Sequence, residues 1–308
     1  MLNMKIGIDL GGSHIAIGVV DKDGKILDKR EKRLRGIEKK AIKKTIENEI
    51  ITNVKEYSKL YKINEIGIAA PGTVSKQKVI KSVNLGLKDY KIIENIQKEI
   101  DLPIKIRNDA KCAALAEYTY GALKKYNRVL FLTLGTGIGG AIIIDGKLLN
   151  TGELPGCEIG HMVIKENGIL CNCGRKGCFE KYASMKAFKN SLRNQLGYDE
   201  NTSGKQLMAI LKDNKKGNPD YEKIEKTRKQ YIKDLSTGIS NLINIFEPEA
   251  IGIGGSFVYF SEVLLEDLKR EIIEQNMLFN PRKDINIQTA ILGNEAGIIG
   301  AVIWKYYA

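Results

Sequence analysis

The sequence predicts an α/β protein made of two similar halves, and three observations support that class. A buried strand, a glycine turn and a second strand follow one another at 5–20, and the same succession returns at 128–144. Amphipathic helical stretches alternate with short apolar strands elsewhere. The 308 residues suffice for two ordinary domains. We place a small α/β domain at 1–119 plus 296–308 and a large one at 120–295, with limits good to a few residues.

The first segment combines a strand, a glycine pair and a carboxylate. Residues 5–9 are typical of a buried strand, 10–13 form a turn, and a second strand follows at 14–20. Backbone N–H groups in such a turn can surround an anion, and a carboxylate at the strand end can reach a hydrated Mg2+. Taken alone, the pattern also suits an ordinary glycine hairpin. The residues in question are Asp9, Gly11, Gly12 and Ser13.

A polar pair lies between a strand and a helix later in the first half. Apolar residues spaced by three and four at 37–61 predict a helix, followed by a strand at 65–70 and a helix at 92–100. The next strand, at 104–107, ends at Asn108-Asp109, and an alanine-rich helix follows at 110–120. This arrangement is typical of a functional site at the carboxyl edge of an α/β sheet. Asp109 by itself also suits a helix cap without chemistry.

The second glycine turn is richer in glycine than the first. A buried strand at 128–134 leads into 135–140, and another strand follows at 141–144. Four glycines in six residues allow a ligand to approach the backbone closely. One such turn is weak evidence, but the second occurrence suggests a duplicated nucleotide-binding half. The candidate residues are Gly135, Thr136, Gly137, Gly139 and Gly140.

A cluster of thiols and one imidazole marks the segment 156–180. His161, Cys171, Cys173 and Cys178 offer three sulfurs and one nitrogen, which suit a tetrahedral and therefore structural Zn2+. A disulfide pair or buried free thiols are the alternatives. Four of the five cysteines lie close together in the sequence, which argues against scattered buried thiols. The total of five is odd, which argues against a set of disulfides, so zinc is favoured.

The remaining elements complete the second half. We predict helices at 181–196, 205–211, 221–245, 257–275 and 296–307. A strand at 251–254 runs into a glycine turn that contains Gly254 and Gly255. A plain helix-entry turn is the alternative interpretation of that glycine pair.

Composition narrows the classes of protein. The formal net charge is +12, but the lysines are interleaved with acids and no basic-aromatic stripe occurs, so we expect a solvated surface and no nucleic-acid partner. No apolar run approaches the roughly 20 residues of a membrane span. The start leads directly into strand-like sequence, so we expect a cytoplasmic protein that does not bind membranes.

Several of these motifs together resemble the ROK family, which contains bacterial sugar kinases and sugar-responsive repressors. Glu158-x-x-His161 followed by Cys171-x-Cys173-Gly174-x-x-Gly177-Cys178-x-Glu180 is similar to its zinc signature, and Asp9-Leu10-Gly11-Gly12-Ser13 is similar to its first phosphate motif. Asn108-Asp109-Ala110 resembles its catalytic motif, and the Gly254-Gly255 turn resembles its adenosine motif.

The resemblance implies a fold, cofactors and roles for named residues. The fold would be the two-domain sugar kinase–actin–heat-shock type, a duplicated ribonuclease H-like architecture with a structural zinc site. ATP and Mg2+ would bind at the glycine turns, and Asp109 would be the general base. Sugar hydroxyls would be held by Gly72, Asn84, Asn108, Asp109, Glu158, His161 and Glu180.

The implied activity is ATP-dependent phosphorylation of a hexose hydroxyl, most simply that of glucose. N-acetylmannosamine, fructose, mannose and allose are alternative acceptors, because Leu87 stands where glucokinases have tryptophan and Cys157 replaces a small residue. A repressor would need a helix-turn-helix module before Asp9, for which this sequence leaves no room. A catalytically silent sugar sensor is the third class. We expect a homo-oligomer, a dimer, whose partners are the sugar and ATP.

Overall fold

A computed structural model describes residues 4–149, 156–275 and 285–304. The chain forms two compact units. The first comprises Met1–Lys124, Gly146–Cys157 and Leu292–Ala308, and the second comprises Lys125–Asp145 and Glu158–Ile291. The domain limits expected from the sequence remain a prediction.

The N-terminal part of the chain builds a mixed five-stranded sheet. Its strands lie in the order β3–β2–β1–β4–β8, with β1 antiparallel to β2 and parallel to β4, and with β4 parallel to β8. A three-stranded antiparallel sheet, β5–β6–β7, was not predicted, because strands of two to four residues show too little alternation. The elements are β1 (Met4–Leu10), β2 (His14–Val20), β3 (Ile26–Arg33), α1 (Ile42–Leu60), β4 (Ile63–Ala70), β5 (Thr73–Val74), β6 (Val79–Ser82), β7 (Leu87–Tyr90), α2 (Ile92–Gln97), β8 (Ile104–Asn108) and α3 (Asp109–Thr119).

The second unit repeats the pairing pattern of the first sheet. Four of its strands lie in the order β10–β9–β12–β13, with one antiparallel pair followed by two parallel pairs, as in β2–β1–β4–β8. This repeat is the duplication that the two glycine turns predicted. The remaining elements of the chain, of which β11 and α9 belong to the first unit, are β9 (Val129–Leu134), β10 (Ile138–Ile144), β11 (Lys147–Leu148), α4 (Glu180–Ala183), α5 (Met185–Leu196), α6 (Gly204–Lys212), α7 (Tyr221–Phe246), β12 (Ala250–Gly254), α8 (Ser261–Glu274), β13 (Asn286–Thr289) and α9 (Ala296–Ala301).

One face of the first sheet packs against α1. The buried side chains of this helix recur at intervals of three and four residues, which confirms the predicted apolar face. They join Ile6, Ile8 and Leu10 of β1 in one core. Each buried aliphatic side chain of this kind contributes about 1.5–3 kcal/mol. The helix begins at Ile42 and not at 37, because residues 37–38 are irregular and 39–41 form a turn.

The opposite face of the first sheet packs against α9 across glycine backbones. A Cβ atom at Gly7 would overlap the carbonyl oxygen of Ile298, and one at Gly67 would overlap that of Ala301. Gly300 is equally close to the carbonyl of Cys112 in α3. The helix ends at Ala301, so the predicted helix at 296–307 is too long, and its residues 305–307 lie outside the described residues.

We predict that Gly67→Ala lowers the free energy of unfolding by about 3 kcal/mol, because the added methyl group meets a backbone atom that cannot rotate away. Chemical denaturation monitored by circular dichroism measures this change. Gly135→Ala is the control, since no atom lies within 4 Å of the position that its new methyl group would take. Equal stability of both variants would contradict close packing of α9.

Three predicted boundaries in the second half are wrong. β10 starts at Ile138, so Gly139 and Gly140 lie in the strand, paired with Thr133 and Leu132, and not in the turn. The predicted helix at 181–196 is two helices, because Ser184 adopts an extended backbone and its side chain caps α5. The predicted helix at 257–275 starts with a 3-10 turn at Gly255–Phe260. In the described parts of the chain, every helix is too short or too polar to cross a bilayer.

Candidate functional site

The first glycine turn presents its backbone to solvent. The Gly11 N–H donates to the His14 carbonyl at 2.9 Å, and the Leu34 N–H donates to the Ser13 carbonyl at 2.8 Å, so both ends of the turn are fixed. Gly12 and Ser13 are exposed. The side chain of Asn84 lies beside Gly12, since a Cβ there would be 3.3 Å from the Cβ of Asn84. An anion can therefore reach the turn beside Asn84, which is one of the residues predicted to bind the sugar.

Asp9 lies at the carboxyl end of β1, under α9. A Cβ atom at Gly297 would overlap its carboxylate, so the helix approaches Asp9 at a residue that leaves room for it. Burial, and to a smaller extent the charge of Glu31, raises the pKa of Asp9 from 3.8 to about 6. The folded protein thus holds a carboxylate whose charge is costly without a bound cation.

Because the folded protein binds the Asp9 proton more tightly than the unfolded chain, its free energy of unfolding falls as the pH rises between about 4 and 6. We predict that Asp9→Asn, without added Mg2+, raises stability by about 1–3 kcal/mol at pH 7 and by much less near pH 4. Denaturant titration at both pH values measures the difference. An equal effect at both values would show that the carboxylate carries no such cost.

Asn108 and Asp109 divide two roles at the start of α3. Asn108 is the N-cap, and its Oδ1 accepts hydrogen bonds from the N–H groups of Ala110 and Lys111 at 3.0 and 3.3 Å. Asp109 is the first helical residue, and its Oδ1 accepts from the Ala110 N–H at 2.8 Å. The cap that Asp109 was considered for is therefore made by its neighbour.

Gly72 is held next to Asn108. The Asn108 Nδ2 donates to the Gly72 carbonyl at 3.1 Å, and Gly72 has a φ of 88°. A side chain at this position would overlap the Lys81 carbonyl. In the first unit the structure thus brings Gly72 together with Asn108-Asp109, and Asn84 together with the first glycine turn.

The other two glycine turns meet at the carboxyl ends of β9 and β12. The Gly135 N–H donates to the Gly137 carbonyl at 3.0 Å, which closes the turn around Thr136. Gly255 has a φ of 74°, and a Cβ there would lie 2.6 Å from the Leu134 carbonyl. The predicted phosphate and adenosine turns are therefore neighbours within the second unit, while Gly139 and Gly140 lie beyond the turn.

The four predicted metal ligands converge. Their ligand atoms all lie within 4.8 Å of one another, with Cys173 and Cys178 sulfurs 3.6 Å apart and the Cys171 sulfur 3.6 Å from His161 Nδ1. A tetrahedral zinc ion with the usual bond lengths separates two sulfurs by about 3.8 Å and a sulfur from a nitrogen by about 3.6 Å. The cluster can therefore hold a zinc ion.

Tight turns bring the sulfurs together. The Cys171 N–H donates to the Arg175 carbonyl at 2.8 Å, and the Gly174 N–H donates to the Cys171 carbonyl at 2.9 Å. Gly174 and Gly177 have φ values of 94° and 82°, which favour glycine. The Arg175 N–H lowers the pKa of Cys173, whereas burial raises the pKa of Cys171 to about 12. A bound zinc ion would displace these thiol protons.

The acidic residues of the zinc signature lie in different surroundings. Glu158 is exposed and precedes the 3-10 turn Ile159–His161. Glu180 is half-buried, and its Oε1 lies 3.2 Å from the Cys171 sulfur and 3.9 Å from His161 Nδ1. His161 therefore faces the cluster through Nδ1.

The sequence did not predict the roles of Gly297 and Glu117. Gly297 admits Asp9 beneath α9, and the small residues at 296, 297 and 300 within an apolar helix were the available signal. Glu117 is fully buried in α3, where it accepts hydrogen bonds from the N–H groups of Ala122 at 2.9 Å and Leu292 at 2.7 Å. Nothing in the sequence distinguishes this carboxylate from a surface acid.

The chain is similar to known proteins over almost its whole length. The glucokinase of Streptomyces coelicolor is 28% identical over 313 residues, covering 97% of this chain and 96% of that protein. The xylose repressor of Caldicellulosiruptor bescii is 28% identical, over 96% of this chain and 76% of the repressor. A crystal structure of a ROK family glucokinase from Streptomyces griseus, in complex with glucose and AMPPNP, superposes with a TM-score of 0.79 at 27% identity over 97% of this chain and 98% of that one.

The fold is therefore the α/β sugar-kinase fold of the ROK kinase structures, as the sequence predicted. The sequence model of the family matches residues 5–306, almost the whole chain. The chain belongs to the ROK family.

Proposed function

We propose that this protein transfers the γ-phosphoryl group of ATP to a hydroxyl of a hexose, with glucose as the preferred acceptor. The observation that carries the proposal is the division of roles at α3, where Asn108 caps the helix and the Asp109 carboxylate is not needed for that purpose. Glycine turns in both units and the likeness to glucokinases support it.

In this reaction Asp109 accepts the proton of the attacking hydroxyl, and the hydroxyl oxygen forms a bond to the γ-phosphorus as ADP leaves. The Ala110 N–H donates to Oδ1 of Asp109 and so orients this carboxylate, and it also donates to Oδ1 of Asn108. Asp9 is assigned to a hydrated Mg2+, which would neutralise phosphate charge. Asn84 and Gly72 remain predicted sugar contacts, as do Glu158, His161 and Glu180.

A coupled assay of ADP release tests the proposal. Purified protein is given ATP and Mg2+ with glucose, N-acetylmannosamine, fructose, mannose or allose, one at a time. We expect the highest kcat/KM with glucose. A higher kcat/KM with another hexose would make that sugar the preferred acceptor and would leave the kinase proposal intact.

The second candidate function is that of a sugar sensor without catalysis, because the family includes repressors such as that of C. bescii. The same protein is then titrated with each sugar in a calorimeter. If the protein binds a sugar but releases no ADP with any of the five sugars, it is a sugar sensor and not a kinase.

A further inference from the structure

The metal cluster and the second glycine turn are packed together as one block. The turn Gly135–Gly137 and the start of β10 lie against the peptide that carries the four cluster residues, at several separate points. Each point lies within the second unit, and each depends on a glycine or a backbone group.

Glu180 makes the central contact. Its Oε1 lies 3.2 Å from the Cys171 sulfur, and its Oε2 lies so close to Gly137 that a Cβ there would overlap it. One carboxylate thus touches the metal cluster with one oxygen and the glycine turn with the other.

The 3-10 turn Ile159–His161 packs on the strand that leaves the glycine turn. A Cβ atom at Gly160 would overlap the carbonyl oxygen of Ile138, and one at Gly140 would lie 2.6 Å from the Cδ1 atom of Ile159. The peptide that carries His161 is therefore seated on the backbone of β10. On the other side of the turn, the Lys186 N–H donates to the Gly135 carbonyl at 3.0 Å.

From these contacts we infer that Glu180 is a positioning residue that couples metal binding at the cluster to nucleotide binding at the Gly135–Gly137 turn. Ligation fixes His161 and, with it, the turn Ile159–His161 that packs on β10. It also turns the Cys171 thiol, which donates to Glu180 Oε1, into a thiolate that cannot donate, so the Glu180 carboxylate loses this partner when the metal binds and keeps its contact with Gly137. Through these two contacts the glycine turn is fixed in its phosphate-binding form. The inference rests on the proposed function, because it takes the turn to bind the phosphates of ATP.

Coupling between two binding sites is reciprocal. If zinc strengthens nucleotide binding by some factor, bound nucleotide must strengthen zinc binding by the same factor. Couplings through packed elements are typically 5- to 150-fold, so we expect a factor on the order of ten here. Zinc affinity therefore reports on the glycine turn without any measurement of catalysis.

The zinc dissociation constant is measured by competition with a chromogenic chelator, with and without saturating ADP and Mg2+. We expect ADP to lower it about tenfold. The ADP dissociation constant, measured by calorimetry with zinc-free and zinc-loaded protein, should differ by the same factor. Circular dichroism shows whether the zinc-free protein remains folded for that second measurement.

Two alanine variants separate coupling from a general effect on the turn. Gly137→Ala places a methyl group against Glu180 Oε2, so we expect weaker zinc binding and loss of the ADP effect. Gly135→Ala meets no atom within 4 Å, so its zinc affinity should stay near that of the wild type.

The outcomes distinguish this inference from the proposed function. ADP binding with no effect on zinc affinity, together with equal zinc affinities in the two variants, would overturn the coupling and leave the kinase intact. Failure of the wild-type protein to bind ADP at all would overturn the proposed function, and the coupling with it.

Discussion

Asp109→Asn is expected to reduce kcat by about 100- to 10,000-fold, which is the usual cost of removing a general base. The substitution keeps size and hydrogen-bonding reach but removes the proton acceptor. The new Oδ1 can still accept from the Ala110 N–H, and the Asn108 cap is untouched. We therefore expect the melting temperature to stay within a few degrees of the wild type, and the sugar dissociation constant to change only a few-fold.

The split between kcat and binding is the decisive feature of this experiment. Steady-state ADP release gives kcat, and calorimetry with the sugar gives affinity. Asp101→Asn is the matched control, because Asp101 is an exposed acid just before β8 and should leave both values unchanged. If Asp109→Asn retains kcat within a few-fold of the wild type, Asp109 is not the general base. The proposed kinase function then loses the residue on which it mainly rests.

Cys171→Ser is expected to abolish stoichiometric zinc binding and most of the activity. Metal analysis of protein purified without added zinc should give about one zinc per chain for the wild type and almost none for the variant. When free zinc exceeds its dissociation constant about 1,000-fold, the bound ion adds about 4 kcal/mol of stability. Its loss should therefore lower the melting temperature by roughly 10 °C.

Cys157→Ser provides the control for this substitution. Cys157 lies outside the four-ligand cluster, although it is close to it in the sequence. This variant should keep its zinc and its melting temperature. Zinc-free wild-type protein with full activity, or an active and stable Cys171→Ser variant, would show that the cluster has no structural role.

The zinc cluster could be predicted from the sequence because its ligands lie within 18 residues of one another and tight glycine turns bring them together. The two sheets could be predicted for a similar reason, since each strand–turn–strand unit is local. The polar pair Asn108-Asp109 was found because it lies between a strand and a helix. The sequence alone left open that Asp109 is only a helix cap, and in the structure the N-cap is Asn108.

Contacts between distant segments could not be predicted. Asp9 and Gly297 are in contact although almost the whole chain separates them in sequence, and neither residue type predicts the presence of the other. The contact between Gly137 and Glu180 has the same character, because a single glycine signals only that some close approach occurs. The boundaries of β10 and α9 also depended on packing, which overrides local propensity.

The seat of α9 on the glycine backbones of β1 and β4 has a consequence for synthesis of the chain. Ala16, Val20 and Ile26 of the first sheet are covered by Ile298 and Val302, which leave the ribosome long after the sheet itself. At about 5–20 residues per second, the delay after α3 is on the order of ten seconds or more. During that time the first sheet carries an uncovered apolar face, so the first unit can be completed only after α9 has been synthesised. Nascent chains stalled before α9 should therefore be clients of chaperones.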